Sequence, residues 1–355
     1  MANITNRPHK NEISRIITGF SSMDRAFEDN FGNYGVPSRT IFEICGDKGV
    51  GKSTFMFYLG GLIAEQLKKN ITLVDFEGQN YITVDTCLDL SGFTGEVDWK
   101  TYEWLKDGNK KAKGKKARGE MTVDEDMLTY AVNKLYESPP SVIMIDSLAG
   151  FTPTAMHEND VNAGNMGVTA KPIKTFLRQC LKPILGNPEP SAIFFTNHKY
   201  PIIGGFKPGP NAPTPTEHAG GKAVGYFATE SVEMSKLYGF AYTDFGGYVL
   251  QGKVAKNRVG YGIESKKSFY VYLQAGEGLN KNLTAVIDCV MYGLANSSSN
   301  NLNDSSTVTL DGQNMGKFRD MIVARHDPSI FEPFHNSLKA VTGGIKEVST
   351  TLGEQ

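Results

Sequence analysis

A glycine-rich stretch between residues 46 and 53 has the residue types and spacing of a phosphate-binding loop. The letters G-D-K-G-V-G-K-S fit the pattern G-x-x-x-x-G-K-[ST] in full. Its glycines let backbone amides turn onto phosphate oxygens, and a following helix N-terminus adds partial positive charge. The pattern predicts that Lys52 reaches the β- and γ-phosphates and that Ser53 ligates Mg²⁺. The predicted nucleotide-binding residues are Gly46, Asp47, Lys48, Gly49, Val50, Gly51, Lys52, Ser53 and Thr54.

Two acidic residues, Asp146 and Glu77, each end an apolar run of the sequence. A carboxylate at Asp146 can hold the Mg²⁺ shell together with Ser53, directly or through water. Glu77 can orient and deprotonate a water molecule that attacks the γ-phosphate. Asp75 competes for this role because it lies two residues earlier on the same strand face. The alternatives, a capping role for Asp146 and a solvated strand end at Glu77, stay open.

The elements that must position these residues follow from local patterns. A β-rich run precedes the glycine stretch, an amphipathic helix is expected over residues 51–69, and the apolar run before Asp146 predicts a strand buried on both faces. Further strands are predicted at residues 71–76 and 192–196, with helices between the strands. This alternation predicts an α/β fold with a mostly parallel, helix-covered β-sheet, which binds ligands at the carboxyl ends of its strands.

Residues beyond 230 predict a different arrangement. Segments 230–237, 247–255 and 267–273 alternate like antiparallel strands on the sheet edge, and residues 283–294 fit a helix. An Asn/Ser-rich stretch at 296–306 predicts a linker, followed by one or two weak helices. We therefore expect a short N-terminal arm (1–15), a core (16–294), and a linker with a small C-terminal helical region (295–355).

The composition excludes several classes of protein. The 355 residues include 40% hydrophobic and 21% charged residues, with a formal net charge of -1, so a strongly basic coat is excluded. The longest apolar runs are strand-sized, well short of the roughly 20 residues that span a bilayer, and the N-terminus lacks the apolar core of a secretory signal. Four cysteines without CxxC spacing predict reduced thiols in the cytoplasm, and disfavour a disulfide framework or a zinc site.

These motifs together resemble the RecA-type recombinases, and most closely their phage UvsX-like branch. The resemblance covers about residues 16–294 and implies a RecA-like P-loop NTPase core that binds ATP and Mg²⁺. The phage-like feature is Asn197-His198, where bacterial members carry a glutamine at the second position. By this resemblance His198 senses the γ-phosphate. The matching stretches are residues 17–24, 46–54, 74–77, 143–147 and 197–198.

Two further stretches carry the resemblance beyond the phosphate loop. Residues 254–258 read V-A-K-N-R and are similar to the family's V-K-N-K segment, and residues 276–280 read G-E-G-L-N and are similar to its G-E-G-I-N element. The resemblance implies that Lys256 and Arg258 reach across a subunit interface and stabilise charge on a neighbour's ATP. The alternative is that both are solvated cations at a strand end.

The family's two DNA-binding loops correspond to residues 151–167 and 199–221. The second loop suits single-stranded DNA because it has a glycine-rich backbone, an aromatic residue and several lysines. The first loop is not basic, so its contacts would be mainly through the backbone, Asn162 or Asn165. The candidate DNA-binding residues are Lys199, Phe206, Lys207, Gly220, Gly221 and Lys222.

The main hypothesis is therefore an ATP-dependent recombinase, a DNA-stimulated ATPase that forms helical filaments on single-stranded DNA and exchanges strands with double-stranded DNA. Its expected location is the cytoplasm of a bacterium or a phage-infected host, with a single-strand-binding protein or loader as a further partner and no membrane. The competing hypotheses are a hexameric helicase or other DNA motor, and a non-catalytic ATP-binding recombination mediator. Two features depart from the family: only about 15 residues precede the match, and a basic insert spans residues 106–118.

Overall fold

The structure is a computed structural model that describes residues 14–29, 32–79, 81–101, 124–153, 168–201, 209, 216–237, 246–258, 267–299, 302–303 and 305–341. The basic insert, Phe206, Lys207 and nearly all of the first predicted DNA loop lie outside the described residues. The chain divides into two compact units: unit 1 comprises Met1–Ser14 and Pro37–Met234, and unit 2 comprises Arg15–Val36 and Ser235–Gln355. The division of the chain expected at residues 15 and 294 stays a prediction.

The described strands and helices have the following bounds. The strands are β1 (Arg15–Ile16), β2 (Val36–Pro37), β3 (Thr40–Gly46), β4 (Ile71–Asp75), β5 (Val97–Lys100), β6 (Val142–Asp146), β7 (Ala192–Asn197), β8 (Lys199–Pro201), β9 (Thr216–His218), β10 (Glu230–Lys236), β11 (Gly247–Asn257), β12 (Ser268–Gln274), β13 (Gly278–Asn280), β14 (Ala295–Ser297), β15 (Thr307–Leu310) and β16 (Gln313–Lys317). The helices are α1 (Ser21–Ala26), α2 (Lys52–Leu67), α3 (Tyr81–Ser91), α4 (Asp124–Tyr136), α5 (Ala170–Gly186), α6 (Lys222–Phe227), α7 (Lys281–Met291), α8 (Phe318–Val323) and α9 (Pro328–Val341).

Unit 1 contains the predicted parallel sheet, in the order β10-β3-β7-β6-β4-β5. Every neighbouring pair in this order runs parallel, so the carboxyl ends of β3, β4, β6 and β7 share one edge. Strand β6 is buried along its whole length, which explains its continuous apolar sequence. Helices α4, α5 and α6 pack apolar side chains against one face. On α2, a Cβ at Gly60 would lie 2.3 Å from Met144, so this glycine permits close packing on β6.

The predicted antiparallel strands are confirmed in part. Strands β11 and β12 pair antiparallel within unit 2, with Gly247 opposite Gln274 and Lys253 opposite Ser268. The segment 230–237, however, was expected to be antiparallel and instead runs parallel to β3, with Glu230 opposite Phe42. Its first residues are buried, as required of a strand beside the central β3. Direction depends on the partner strand, which alternation within one segment does not reveal.

The C-terminal part of unit 2 contains more strand than expected. The predicted linker at 296–306 begins within β14, which joins β15 and β16 in an antiparallel sheet. This sheet packs with helices α7, α8 and α9 around a core that includes Phe318, Phe331 and Phe334. Within the described part of the chain, none of the helices combines the length and apolarity needed to cross a bilayer.

Candidate nucleotide site and nucleic-acid interface

The predicted phosphate loop lies between the end of β3 and the start of α2, where a parallel sheet binds ligands. Gly49 and Gly51 have φ angles of 72° and 93°, which favour glycine. Gly46 permits a close approach, because a Cβ there would lie 2.4 Å from the carbonyl oxygen of Met234. Gly51 immediately precedes the first turn of α2, so the loop presents that helix N-terminus to a bound phosphate.

Lys52 points back into the phosphate loop. Its Nζ donates to the carbonyl oxygens of Gly46 at 2.9 Å and Asp47 at 2.8 Å. Burial lowers the pKa of Lys52, while the negative charges of Glu77 and Asp146 act in the opposite direction. The ammonium group is therefore held in the loop, within electrostatic reach of the predicted base Glu77 and the predicted metal ligand Asp146.

Asp146 has the surroundings of a cation ligand. It accepts a hydrogen bond from Thr196 through Oδ1, and its buried Oδ2 has no hydrogen-bond partner among the described residues. Burial raises the pKa of Asp146 to about 6, against the effect of the Thr196 and Ser53 hydroxyls, and the charge of Glu77 raises it further. A divalent cation would offset this cost, and the hard oxygens of Asp146 and Ser53 fit Mg²⁺.

The two candidate bases, Asp75 and Glu77, have different environments. Asp75 is buried and accepts hydrogen bonds from the backbone amides of Glu77, Gly78 and Gln79 at 2.7–3.0 Å, and from Nε1 of Trp99 at 3.3 Å. These four donors occupy its carboxylate and fix the turn after β4. Glu77 is exposed, and its carboxylate accepts from the Ser147 hydroxyl beside Asp146. Of the two carboxylates, that of Glu77 is therefore the accessible one, whereas that of Asp75 holds the turn.

His198 follows β7 and lies beside the phosphate loop. Its pKa is lowered by burial and by the positive charge of Lys52, while Glu77 and a hydrogen bond with the Gly46 backbone raise it. The preceding Asn197 is fully buried, and its Oδ1 accepts from the His198 amide at 2.9 Å. The structure thus brings the predicted γ-phosphate sensor to the same edge of the sheet as Lys52, Glu77 and Asp146.

The two predicted trans-acting cations lie at the C-terminal end of strand β11 in unit 2, with Lys256 inside the strand and Arg258 one residue beyond it. Lys256 is half-buried, Asn257 is buried, and Arg258 is exposed directly after the strand. The action of the two cations on a neighbouring subunit stays a prediction.

The described ends of the second predicted DNA loop are hydrogen-bonded to each other and to residues beside the candidate nucleotide site. Strands β8 and β9 pair antiparallel, with Lys199 opposite His218. The Ala219 amide donates to the His198 carbonyl at 3.0 Å, and Asn197 Nδ2 donates to the Ala219 carbonyl at 3.2 Å. Lys199 is half-buried and forms an ion pair with Glu233, which reduces the charge it can offer to DNA.

A basic groove adjoins this loop, and the sequence predicted only part of its lining, namely Gly220, Gly221 and Lys222. A cavity of about 640 Å³ is lined by Gly220, Gly221 and Lys222 and by the start of α5. Exposed lysines at positions 171, 174 and 222 carry its charge, and Tyr226 presents an aromatic ring that is 68% exposed. The sequence signals were Lys171 and Lys174 three residues apart on α5, and Lys222 and Tyr226 four apart on α6. Only tertiary packing brings the two helices together.

The phosphate loop, the parallel sheet and the acids that end β4 and β6 define a P-loop nucleotide-binding α/β protein. No protein-family model matches the chain. The RecA protein of Bifidobacterium longum is 24% identical over 343 residues, or 96% of this chain and 75% of that relative. The RecA protein of Syntrophus aciditrophicus is 25% identical over 273 residues, or 76% of this chain and 68% of that relative. The chain is therefore related to the RecA-type proteins, as its motifs indicated, while the phage branch stays a prediction.

Proposed function

We propose that the protein is an ATP-dependent DNA recombinase that forms helical filaments on single-stranded DNA and catalyses homologous pairing and strand exchange. The RecA relatives support a role in recombination and repair, and favour neither alternative. One observation carries the proposal: the segment that leads to the basic groove is hydrogen-bonded to the residues beside the phosphate loop, through Ala219 and His198. A change at the nucleotide can therefore act on the DNA-binding segment.

In the proposed reaction, the phosphate loop and Lys52 bind the ATP phosphates, and Ser53 and Asp146 would hold Mg²⁺. A bound Mg²⁺ would supply positive charge beside the phosphates. Glu77 takes a proton from the attacking water, because its carboxylate is accessible whereas that of Asp75 is occupied. Lys256 and Arg258 of the next subunit stabilise negative charge on the transferred phosphoryl group.

Single-stranded DNA would contact the groove between α5 and α6. Its lysines neutralise backbone phosphates, and Tyr226 offers a stacking surface. Phe206 and Lys207 belong to the same proposed loop. Binding of ATP and of DNA would strengthen each other, since linkage is reciprocal. Double-stranded DNA, a single-strand-binding protein or loader, and a cytoplasmic location complete the proposal.

The test combines three measurements: ATPase rate with and without single-stranded DNA, joint-molecule formation between homologous DNAs, and electron micrographs with DNA and a non-hydrolysable ATP analogue. We expect DNA-stimulated hydrolysis, joint molecules and helical filaments. An ATPase that ignores DNA would count against the proposal, and closed rings would favour a motor. Full biological activity of E77Q would favour the mediator.

A further inference from the structure

A cluster of three potential metal ligands lies beside the nucleotide site and has no role in the proposed reaction. Glu43 and Cys45 project from the same side of β3, because they are two residues apart. His218, at the end of β9, faces them. One ligand atom from each residue, a carboxylate oxygen, a thiol sulphur and an imidazole nitrogen, lies within 4.8 Å of the other two.

The cluster is already held together by polar contacts. Nδ1 of His218 lies 2.6 Å from Oε1 of Glu43, and Asn197 Nδ2 donates to the same oxygen at 2.8 Å. The other oxygen of Glu43 accepts from the Ser231 hydroxyl at 2.9 Å. These contacts and the 4.8 Å spacing hold the three side chains close together before any ion binds.

We propose that Glu43, Cys45 and His218 form a binding site for a zinc ion. A mixed set of sulphur, nitrogen and oxygen donors suits Zn²⁺ better than the hard cations Mg²⁺ and Ca²⁺, which prefer oxygen alone. The side chain of Glu43 is fully buried and that of His218 is 26% exposed, so solvent reaches the cluster from the histidine side. A water molecule can complete a tetrahedral set of four ligands there.

The required rearrangement is small. Zinc bond lengths of about 2.0–2.3 Å place the ligand atoms of a tetrahedral site roughly 3.3–3.8 Å apart. The ligand atoms now lie up to 4.8 Å apart, so the longest of their distances must shorten by about 1 Å. The 2.6 Å distance between Nδ1 of His218 and Oε1 of Glu43 must lengthen by a similar amount. Zinc binding would release the proton between His218 and Glu43 and the thiol proton of Cys45 to solvent, because the metal takes a neutral imidazole, a carboxylate and a thiolate.

The location gives the site a structural consequence. Cys45 immediately precedes Gly46 of the phosphate loop, and His218 precedes Ala219, which is hydrogen-bonded to the His198 carbonyl. A metal bound here would cross-link strand β3 to the end of the segment that leads to the basic groove. The metal site does not depend on the proposed recombinase activity, since the three ligands stand outside the predicted catalytic set.

The test uses the full-length protein and two probes, Zn²⁺ and Co²⁺. Zn²⁺ affinity is measured by competition with a chromophoric chelator, and Co²⁺ binding by its absorption spectrum. We expect one Zn²⁺ per chain and a thiolate-to-cobalt charge-transfer band in the near ultraviolet. C45S should abolish that band and weaken Zn²⁺ binding by at least about tenfold, and H218N should also weaken binding at least about tenfold. The matched controls C87S and H326N should change neither measurement.

The spectrum of the unmodified protein keeps the proposal testable even if a variant fails to fold. A wild-type protein that binds no Zn²⁺ in the competition assay, or a cobalt complex without the thiolate band, would overturn it. So would a folded C45S protein with unchanged Zn²⁺ affinity. Any of these results would leave the cluster as an ion pair between Glu43 and His218 beside an inert thiol.

Discussion

At the scale of single residues, two acids near the end of β4 have different tasks: Asp75 is the last residue of the strand, and Glu77 lies in the turn after it. Asp75 holds the turn through three backbone amides and Trp99, whereas Glu77 keeps an exposed carboxylate next to Ser147. The sequence could identify both acids as candidates, because they lie two residues apart at the end of one predicted strand. It could not choose between them, since the amides that occupy Asp75 face it only after the turn forms.

We expect E77Q to lower the ATPase kcat by about 10²–10⁴-fold, because the amide cannot accept the water's proton. ATP affinity should be retained, since Lys52 and the phosphate loop are unchanged. Single-turnover hydrolysis and equilibrium nucleotide binding check the two parts separately. E137Q, an acid in the turn after α4, is the control and should hydrolyse ATP normally. Loss of ATP binding in E77Q would point to a structural role instead.

A second residue-scale prediction concerns Asp288 in unit 2. Burial raises the pKa of Asp288 to about 7 and that of nearby Asp24 to about 6, so the folded chain retains protons that the unfolded chain releases above pH 4. The free energy of unfolding should therefore fall as pH rises from about 4 to 7. D288N should flatten this slope by about 1.4 kcal/mol per pH unit between pH 5 and 6.

Urea unfolding at a series of pH values measures the slope for each variant. D320N replaces an exposed acid on α8 and should leave the slope unchanged. If D288N and the unmodified protein lose stability in parallel as pH rises, Asp288 does not titrate as described.

At the scale of elements, the phosphate loop depends on contact between neighbouring strands. A Cβ at Gly46 would press on the Met234 carbonyl of β10, so G46A should lower the free energy of unfolding by about 2–3 kcal/mol. At Gly186, on the exposed end of α5, an added Cβ would meet no atom within 4 Å from the described residues outside its own stretch of helix. G186A should therefore change stability by less than about 0.5 kcal/mol. Denaturant unfolding compares the two, and equal losses would contradict the packing at Gly46.

The groove between α5 and α6 gives a second element-scale prediction. The logarithm of the affinity for single-stranded DNA should fall linearly with the logarithm of the salt concentration. K171A/K174A should make this slope shallower by about 1.4, because two phosphate contacts are lost. K182A lies further along the same helix, outside the groove, and is the matched control. Fluorescence anisotropy at several salt concentrations measures the slope. An unchanged slope in the double variant would exclude the groove as the DNA path.

Most elements of the core could be predicted because their signals are local. Glycine spacing gave the phosphate loop, and continuous apolar residues gave the buried strand β6. The direction of β10 and the groove formed by α5 and α6 could not be predicted from the sequence, because each depends on which elements become neighbours in space. The positions of Glu77 and His198 near Lys52 were anticipated, but the ion pair that occupies Lys199 was not.

At the scale of the whole molecule, the proposed filament combines one subunit's phosphate loop with the next subunit's Lys256 and Arg258. An equimolar mixture of E77Q and R258A should therefore recover about a quarter of normal ATPase activity. In a randomly assembled filament, about a quarter of the interfaces combine an unchanged Glu77 from one subunit with an unchanged Arg258 from the next. Each variant alone should be nearly inactive.

The control mixture combines E77Q with K52A. Both defects lie on the same side of the interface, so no combination restores an intact site and activity should stay near zero. Steady-state ATPase assays with saturating single-stranded DNA measure both mixtures. Absence of recovery with R258A would show that Arg258 does not act across subunits.

The pairing of β8 with β9 has a consequence for how such a protein could diversify. The two strands, Lys199–Pro201 and Thr216–His218, pair antiparallel at the two ends of the segment between them. The Ala219 amide, directly after the second strand, donates a hydrogen bond to the carbonyl of His198. The stretch between residues 202 and 215 could then change in sequence or length without displacing His198 and the phosphate loop beside it. Changes in that stretch alone could alter the preference for particular nucleic acids, while the paired strands β8 and β9 stay the same.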